Sequence, residues 1–466
     1  MIFSSIPFLY YFLPIVLILY FLAPKALKNP VLLLSSLFFY GWGEPKYVFL
    51  MLTTVLFAYV FGLLIERFSG KGLSKFFLVL SVLFSLTGLL YFKYADFFIQ
   101  NFNRLTGFSV PFLKLALPIG ISFYTFQILS YSVDVYRGEV KAQKNPIHLA
   151  TYVSLFPQLI AGPIVRYSDV EKQLIAREHS FEKASAGCRR FILGLAKKIL
   201  IANTLGELCH AFTQSAELSV LYYWLYAVSY MLQIYYDFSG YSDMAIGLGK
   251  IFGFEFMENF RYPFISKSIT EFWRRWHISL GTWFRDYVYI PLGGNRVGHL
   301  RQLFNIFVVW FLTGFWHGAE WNFIVWGLYF GILLTLEKFF YLKKLEKQKV
   351  LSHIYVLFFA AISFMIFAAG NLSQAFEYIG GMFGIGSLPW VSLEGVYQLK
   401  NYGFVLLVAA FGATPIPKLL KERLDHKTQL STIVWAVELL VLIALVFVAT
   451  GYLADGTFNP FLYFRF

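Results

Sequence analysis

The chain has 466 residues, of which 58% are hydrophobic and only 14% are charged. A soluble globular domain is nearer half apolar and a quarter charged, so the composition excludes an ordinary soluble protein. Apolar runs of membrane-spanning length follow one another from end to end, with no long polar segment between them. The sequence therefore predicts an all-α, polytopic membrane protein in which residues 1–466 form one membrane-embedded domain.

The formal net charge of +13 would suggest a nucleic-acid partner in a soluble protein. The sequence contains neither zinc-site spacing nor an RNA-binding signature, so we expect no nucleic acid. Lys and Arg residues in cytoplasmic loops, beside anionic membrane lipid, account for the charge instead. The two cysteines, Cys188 and Cys209, are too few for a disulfide framework.

The N-terminal apolar run is predicted to be a retained first span, because it lacks a basic leading region and a small-residue cleavage site. Lys25 and Lys28 follow it and place the next loop on the cytoplasmic side. We expect about ten to eleven transmembrane helices, with re-entrant and interfacial helices beside them. Those spans are predicted at about 3–22, 31–66 (broken near 41–45), 74–94, 117–140, 191–213, 219–236, 302–316, 321–336, 351–370, 402–413 and 432–453.

Two further segments each admit two interpretations. Residues 149–166 are interrupted by Pro157 and Pro163, and they form either a cavity wall or a tight turn between spans. Asp237 and Asp243 lie in apolar surroundings and could be a catalytic or ion-coordinating pair. The structural alternative, which we favour, is a helix end at Asp237 with Asp243 capping the next helix.

The core motif region is residues 260–337. Ser268 and Glu271 have capping-box spacing, which predicts that a helix begins there and continues to Pro291 at the cytoplasmic interface. Trp273 and His277, four residues apart, would then share a neighbouring face of that helix.

Three arginines on this helix, Arg274, Arg275 and Arg285, are placed to meet an anion. Lipid phosphate is one candidate, and the phosphates of a nucleotide-linked cofactor are the other.

Residues 302–337 are interpreted as a helical hairpin whose tip, residues 316–321, is buried in protein. Fifteen helical residues rise about 22 Å, against a hydrocarbon core of about 30 Å, so His317 is expected within the membrane. A lone histidine on an apolar face is ordinarily a packed core residue. At membrane depth, beside Trp316 and Gly318, catalysis becomes the favoured role. The other histidines are expected in loops or interfaces: His148, His179, His210, His299, His353 and His426.

A neutral histidine can act as a general base near pH 7. The sequence has no GxSxG nucleophile motif and no spacing for a metal site, so we expect no metal and no permanently bound cofactor. This pattern favours direct transfer, in which the histidine deprotonates a hydroxyl that attacks an activated acyl group.

The chain resembles the membrane-bound O-acyltransferase family, and most closely its bacterial branch of alginate O-acetyltransferases. The resemblance rests on pieces that cover nearly the whole chain: FSSIPFLYYFLPI, FYGWGEPKY, LPIGISFYTFQILSYSVDVYRG, LFPQLIAGPIVRY, YYDFSGYSDMAIGLGKIFGF, NFRYPFISKSITEFWRRWHISLGTWFRDYVYIPLGGNR, FLTGFWHGAEWNFIVWG and NPFLYFRF.

The resemblance implies a multi-helix membrane body around a central funnel. His317 matches the family's intramembrane catalytic histidine, and His277 matches its second characteristic position. The implied acyl donor is a thioester on a phosphopantetheine arm, either acetyl-CoA or an acyl carrier protein, on the cytoplasmic side. The expected donor-binding residues are Arg274, Arg275, Trp276, Arg285 and Trp316.

The leading expectation is transfer of an acetyl group to an extracytoplasmic partner enzyme, for O-acetylation of an exopolysaccharide, in the bacterial cytoplasmic membrane. Three alternatives stay open. One is D-alanyl or other acyl transfer in the cell wall. Another is export of a polysaccharide or lipid-linked sugar, against which the lack of a clear internal repeat speaks. The last is a structural subunit of a secretion complex.

Overall fold

The computed structural model describes residues 1–425, 431–456 and 458–460, which form helices and loops with no strand among them. His426 and the terminal residues 461–466 lie outside the described residues. By their contacts, the residues form two compact units. Unit 1 comprises residues 1–191 and 244–257, and unit 2 comprises residues 192–243 and 258–466. The single-domain expectation stays a prediction.

Unit 1 consists of helices joined by short loops. Its α-helices are Leu13–Leu22, Lys28–Gly43, Tyr47–Arg67, Gly72–Leu89, Ala95–Thr106, Ile121–Arg137, Pro146–Ser154, Phe156–Leu159, Tyr167–Ile175 and the greater part of Phe181–Ala196. Residues 149–165 are all buried, so protein covers the broken segment there. The predicted break near 41–45 is confirmed, since one helix ends at Gly43 and the next begins at Tyr47.

Unit 2 contains the core motif region. Its α-helices are Thr204–Gln214, the greater part of Val220–Ile251, Ile269–Arg275, Ile278–Phe284, His299–His317, Trp321–Leu336, Leu342–Leu345, Leu351–Ala368, Leu372–Met382, Leu393–Gly412, Ile416–Asp425 and Ser431–Ala454. Several of them are extended by π-helical turns, including Lys197–Asn203, Arg285–Tyr289 and Glu337–Tyr341.

The prediction of an all-α, polytopic membrane protein is confirmed. Within the described ranges, five helices are long and apolar enough to cross a membrane, or up to six if the bent pair Leu393–Gly412 and Ile416–Leu424 is one span. This is fewer than the ten to eleven segments that we predicted. Several predicted segments form shorter helices, such as Pro7–Leu22, or helices that carry more polar residues, such as Ile121–Arg137.

The helix predicted to run from Ser268 to Pro291 is broken at His277. The Ser268 hydroxyl accepts a hydrogen bond from the Glu271 N–H (3.0 Å), so the predicted start is correct. The first helix ends at Arg275, however, and His277 adopts a left-handed backbone with φ 45°. The prediction that Trp273 and His277 share a helix face is therefore wrong.

The predicted hairpin within 302–337 is present as helices His299–His317 and Trp321–Leu336. Gly314 and Gly327 lie where the two backbones meet. A Cβ atom on Gly327 would collide with the carbonyl oxygen of Trp310 and with Gly314, and neither backbone group can rotate away. The close crossing therefore depends on glycine at this contact.

Gly327→Ala should lower the free energy of unfolding by about 1–3 kcal/mol, because the added methyl group overpacks a backbone contact. The matched control is Gly331→Ala, one turn further along the same helix. There the nearest atom to the new Cβ is 3.4 Å away, at the Trp310 Cβ. Thermal unfolding in detergent should leave the control unchanged or slightly more stable, and equal destabilisation of both variants would contradict the glycine contact.

Candidate active site

His277 lies in the turn between helices Ile269–Arg275 and Ile278–Phe284, and it is only 1% exposed. A left-handed backbone is unfavourable for a residue with a Cβ atom. The fully buried Asn259 compensates, because its backbone oxygen accepts from the Ile278 N–H (3.0 Å). The loop that carries Asn259 adds a second bond, from the Arg261 N–H to the Arg275 carbonyl oxygen (2.9 Å).

The side chain of Asn259 fixes the tautomer of His277. Its Oδ1 atom accepts from the N–H and the hydroxyl of Ser279, at 3.2 and 2.9 Å. Since a backbone N–H can only donate, the amide atom facing it is oxygen. The same Oδ1 lies 3.1 Å from His277 Nδ1, which must therefore carry the proton. The Nε2 atom of His277 consequently presents a lone pair.

The surroundings of His277 keep its imidazole neutral. The residue lies outside the candidate membrane spans. Burial lowers its pKa to about 3, because desolvation disfavours the charged form. The ring of Phe238 packs against it edge to face, with centroids 4.6 Å apart. At neutral pH His277 is therefore a hydrogen-bonding group and not a cation.

His317 is the last residue of helix His299–His317 and is 8% exposed. Its ring packs edge to face against Trp326 (centroids 5.0 Å apart) and Phe367 (5.3 Å). Trp316 is in ring contact with both histidines, at 4.9 Å from His317 and 6.1 Å from His277. The structure thus brings the two sequence-predicted histidines to one aromatic cluster.

Further tryptophans extend this cluster. Trp273 packs against Trp310 (4.7 Å), Trp326 (5.6 Å) and Phe330 (4.9 Å). The indole nitrogens of Trp273 and Trp326 are buried and have no hydrogen-bond partner within the described ranges. Of these two N–H donors, that of Trp326 belongs to an indole ring in contact with the ring of His317.

The three predicted anion-binding arginines differ in their surroundings. Arg275 forms an ion pair with Glu271 (2.8 Å) and donates to the Arg261 carbonyl oxygen (3.1 Å). Arg285 pairs with Asp286 (2.7 Å). Arg274 is exposed and has no carboxylate partner in the part of the chain that the structure describes. It is therefore the arginine most available to a phosphate.

The two predicted donor-binding tryptophans also differ. Trp276 is part of the packed core, stacked on Phe272 (5.6 Å) and edge to face with Phe260 (5.2 Å). Trp316 is buried beside both histidines instead. A direct role with the donor stays a prediction for both tryptophans, of which Trp316 alone contacts the rings of both histidines within the described ranges.

Asp237 and Asp243 lie inside the continuous helix Val220–Ile251. Asp237 pairs with the buried Lys198 (2.5 Å) and Asp243 with Lys197 (2.6 Å). The prediction of a helix end at Asp237 and a cap at Asp243 is wrong, because the helix continues through both residues and each carboxylate is paired with a lysine of the π-helical turn Lys197–Asn203. Among the described residues, no group of three or more His, Cys, Asp or Glu side chains could hold a metal ion.

The sequence interpretation missed Asn259 and Glu337. Glu337 is fully buried, and its carboxylate accepts from the N–H groups of Ile269 (2.5 Å) and Thr270 (2.8 Å) and from the Thr270 hydroxyl (2.6 Å). A carboxylate in an apolar run was the available signal for Glu337. Asn259 gave no signal, because its partners meet it only after the chain turns at His277.

Comparison with known proteins identifies the family of the chain. Residues 35–374 match the profile of MBOAT, the membrane-bound O-acyltransferase family. The chain is 40% identical to a probable alginate O-acetylase AlgI of Pseudomonas putida, over 100% of both chains. It is 43% identical to the probable AlgI of Pseudomonas aeruginosa, over 88% of this chain and 81% of that one. It is 35% identical to a peptidoglycan O-acetyltransferase of Helicobacter pylori, over 84% of this chain and 82% of that one.

The family match covers well over half of the chain, and these relatives align over most of their own length. The chain therefore belongs to the membrane-bound O-acyltransferase family and is an O-acyltransferase of the membrane.

Proposed function

We propose that the chain transfers an acetyl group from a cytoplasmic thioester, acetyl-CoA or an acyl carrier protein, to an extracytoplasmic partner for O-acetylation of an exopolysaccharide. The observation that carries this proposal is the joint contact of His277 and His317 with Trp316 in a buried aromatic cluster. The named relatives that act as O-acetylases support acetyl as the group transferred. The cytoplasmic membrane of a bacterium is the location in which such a donor and such an acceptor meet.

In this proposal His317 is the general base. Its neutral imidazole takes the proton of the acceptor hydroxyl while the hydroxyl oxygen attacks the thioester carbon. The C–S bond then breaks, and the leaving thiolate takes that proton from the imidazolium. The aromatic surroundings exclude water, which favours transfer over hydrolysis of the thioester.

His277 is proposed to orient the donor rather than to share the proton. Its low pKa makes an imidazolium costly at this position. The lone pair on its Nε2 atom can accept a hydrogen bond from an N–H group, and a phosphopantetheine arm carries two amide N–H groups. Arg274 and Trp316 complete the proposed donor site, with Arg275, Arg285 and Trp276 acting through packing and ion pairs.

The indole N–H of Trp326 is proposed to stabilise the negative charge that develops on the thioester carbonyl oxygen. Trp326 contacts the ring of His317, and its nitrogen has no partner within the described ranges. A buried, unsatisfied donor costs free energy in the resting enzyme and is useful where charge appears during reaction.

His317→Ala should lower the transfer rate by about 10²–10⁴-fold, because the general base is lost. The assay uses purified protein in liposomes with labelled acetyl-CoA and measures CoA release and label on an acceptor. The matched control is His299→Ala at the exposed opposite end of the same helix, which should keep its activity. If both variants match the wild type, His317 is not the base, and a transporter or a structural subunit becomes the better interpretation.

Replacing the donor in that assay separates the enzyme alternatives. A wild-type protein that is inert with acetyl-CoA, but active with an acetylated carrier protein, uses the carrier as its donor. Activity with a D-alanyl carrier alone would overturn acetyl transfer in favour of cell-wall D-alanylation.

His277→Asn should retain activity within about tenfold, whereas His277→Leu should lose 10²-fold or more. Asparagine tolerates the left-handed backbone and keeps an oxygen acceptor, while leucine does neither. The measurement is kcat and KM for acetyl-CoA, with the loss expected mainly in KM. An Asn variant as inactive as the Leu variant would mean that His277 moves the proton.

Trp326→Phe should lower kcat by about 10²-fold with little change in KM, because only the transition-state donor is removed. Trp310→Phe, in the same cluster but without a ring contact to His317, is the matched control and should keep its kcat. Equal loss in both variants would indicate a packing role for Trp326.

A further inference from the structure

A second cluster of basic groups, within unit 1, surrounds Tyr20. The side chain of Tyr20 is fully buried, and its hydroxyl donates to the Phe252 carbonyl oxygen (2.9 Å), which can only accept. The same oxygen lies 3.1 Å from Arg177 Nε and 2.9 Å from His179 Nε2. With its one proton committed, the Tyr20 oxygen accepts from both, so His179 carries its proton on Nε2 and Tyr20 fixes the position of both basic side chains.

A second cation, besides Arg177, converges on the same tyrosine. Lys28 Nζ lies 4.3 Å from the centre of the Tyr20 ring and 3.4 Å from its backbone oxygen. The guanidinium of Arg177 lies 4.5 Å from the ring centre of Phe254. The partners of these cations are thus rings, a hydroxyl and a carbonyl, all of them neutral. Lys28, Arg177 and His179 are named the Tyr20 cluster below.

The Tyr20 cluster has no carboxylate partner within the described ranges. The adjacent Glu178 has a 95% exposed side chain and lies 4.0 Å from Lys183. Lys183 also pairs with Glu255 (3.3 Å). Arg177 Nη1 is buried and has no hydrogen-bond partner among the residues that the structure describes. A buried guanidinium N–H without an acceptor is unfavourable, so an anion that accepts from it would stabilise the cluster.

The electrostatics agree with this geometry. The pKa of Lys28 is lowered by burial and then by the charge of Arg177. The pKa of His179 is lowered by burial, and the positive charges of Lys28 and Arg177 lower it further. Cations that repel one another with no acid between them are stabilised when an anion binds.

The position of the cluster identifies the source of that anion. Helix Leu13–Leu22 ends beside it, and the last turns of this helix expose Ile18, Leu19, Phe21 and Leu22. Leu22 is 80% exposed, which suits contact with lipid chains rather than water. Lys25 and Lys28 follow at once, as expected where an apolar helix leaves the hydrocarbon on the cytoplasmic side.

We propose that Lys28 and Arg177, which lie with His179 around Tyr20, bind the phosphate of an anionic phospholipid headgroup in the cytoplasmic leaflet. The guanidinium supplies paired N–H donors to the phosphate oxygens, and Lys28 supplies a point charge. The acyl chains of that lipid lie along the exposed apolar side chains at the end of helix Leu13–Leu22. This proposal is independent of the proposed acyl-transfer reaction. It is tested by measuring lipid binding and not by measuring activity.

The experiment titrates the purified full chain in detergent with phosphatidylglycerol or phosphatidylcholine and counts bound lipids by native mass spectrometry. The wild type should bind its first phosphatidylglycerol at least tenfold more tightly than phosphatidylcholine. The double variant Lys28→Gln/Arg177→Gln should lose this preference and keep its phosphatidylcholine binding, which also reports that it is folded. The control Lys71→Gln/Arg104→Gln removes the same charge from exposed positions and should behave as the wild type.

Three results would overturn the proposal. The first is an unchanged preference in the Lys28→Gln/Arg177→Gln variant. The second is an equal loss in the control, which would indicate diffuse attraction to the whole basic surface. The third is competition by inorganic phosphate or CoA at concentrations equal to the lipid, which would assign the site to a soluble phosphate. If the double variant does not fold, the single variant Lys28→Gln, at a partly exposed residue, should still weaken phosphatidylglycerol binding by about threefold or more.

Discussion

The candidate active site depends on the carboxylate of Glu337. It is fully buried and accepts three hydrogen bonds from the first residues of helix Ile269–Arg275, through Ile269 N–H, Thr270 N–H and the Thr270 hydroxyl. A helix N-terminus has free N–H groups and a positive dipole end, and a carboxylate satisfies both. Because Glu337 directly follows helix Trp321–Leu336, this one group ties the segment that carries His277 to the hairpin that carries His317.

The chemistry proposed for the two histidines depends on the uncharged aromatic side chains that pack against them. The rings that contact them belong to Phe238, Trp316, Trp326 and Phe367. In such surroundings the imidazole of His277 stays neutral, and each hydrogen bond is stronger than it would be in water. In the proposed reaction, the proton leaves the acceptor hydroxyl for His317 as the new C–O bond forms.

The arginines near the candidate site and the arginine of the Tyr20 cluster differ in the charge of their partners. Near the candidate site, Arg275 and Arg285 are paired with Glu271 and Asp286, whereas Arg274 has no carboxylate partner among the described residues. In the Tyr20 cluster, Arg177 is held by a hydroxyl and by rings, and its charge stays uncompensated. A basic side chain that only neutral groups hold in place therefore indicates a site where an anion would compensate its charge.

The sequence by itself determined the helical membrane class, the family resemblance, the helix start at Ser268 and the hairpin that carries His317, because these follow from apolar length, capping spacing and local motifs. Only the tertiary structure decided the break at His277, the tautomer set by Asn259 and the cap supplied by Glu337. Each of these joins residues from 18 to 68 positions apart. Local periodicity has no information about such contacts, which form only when the helices pack.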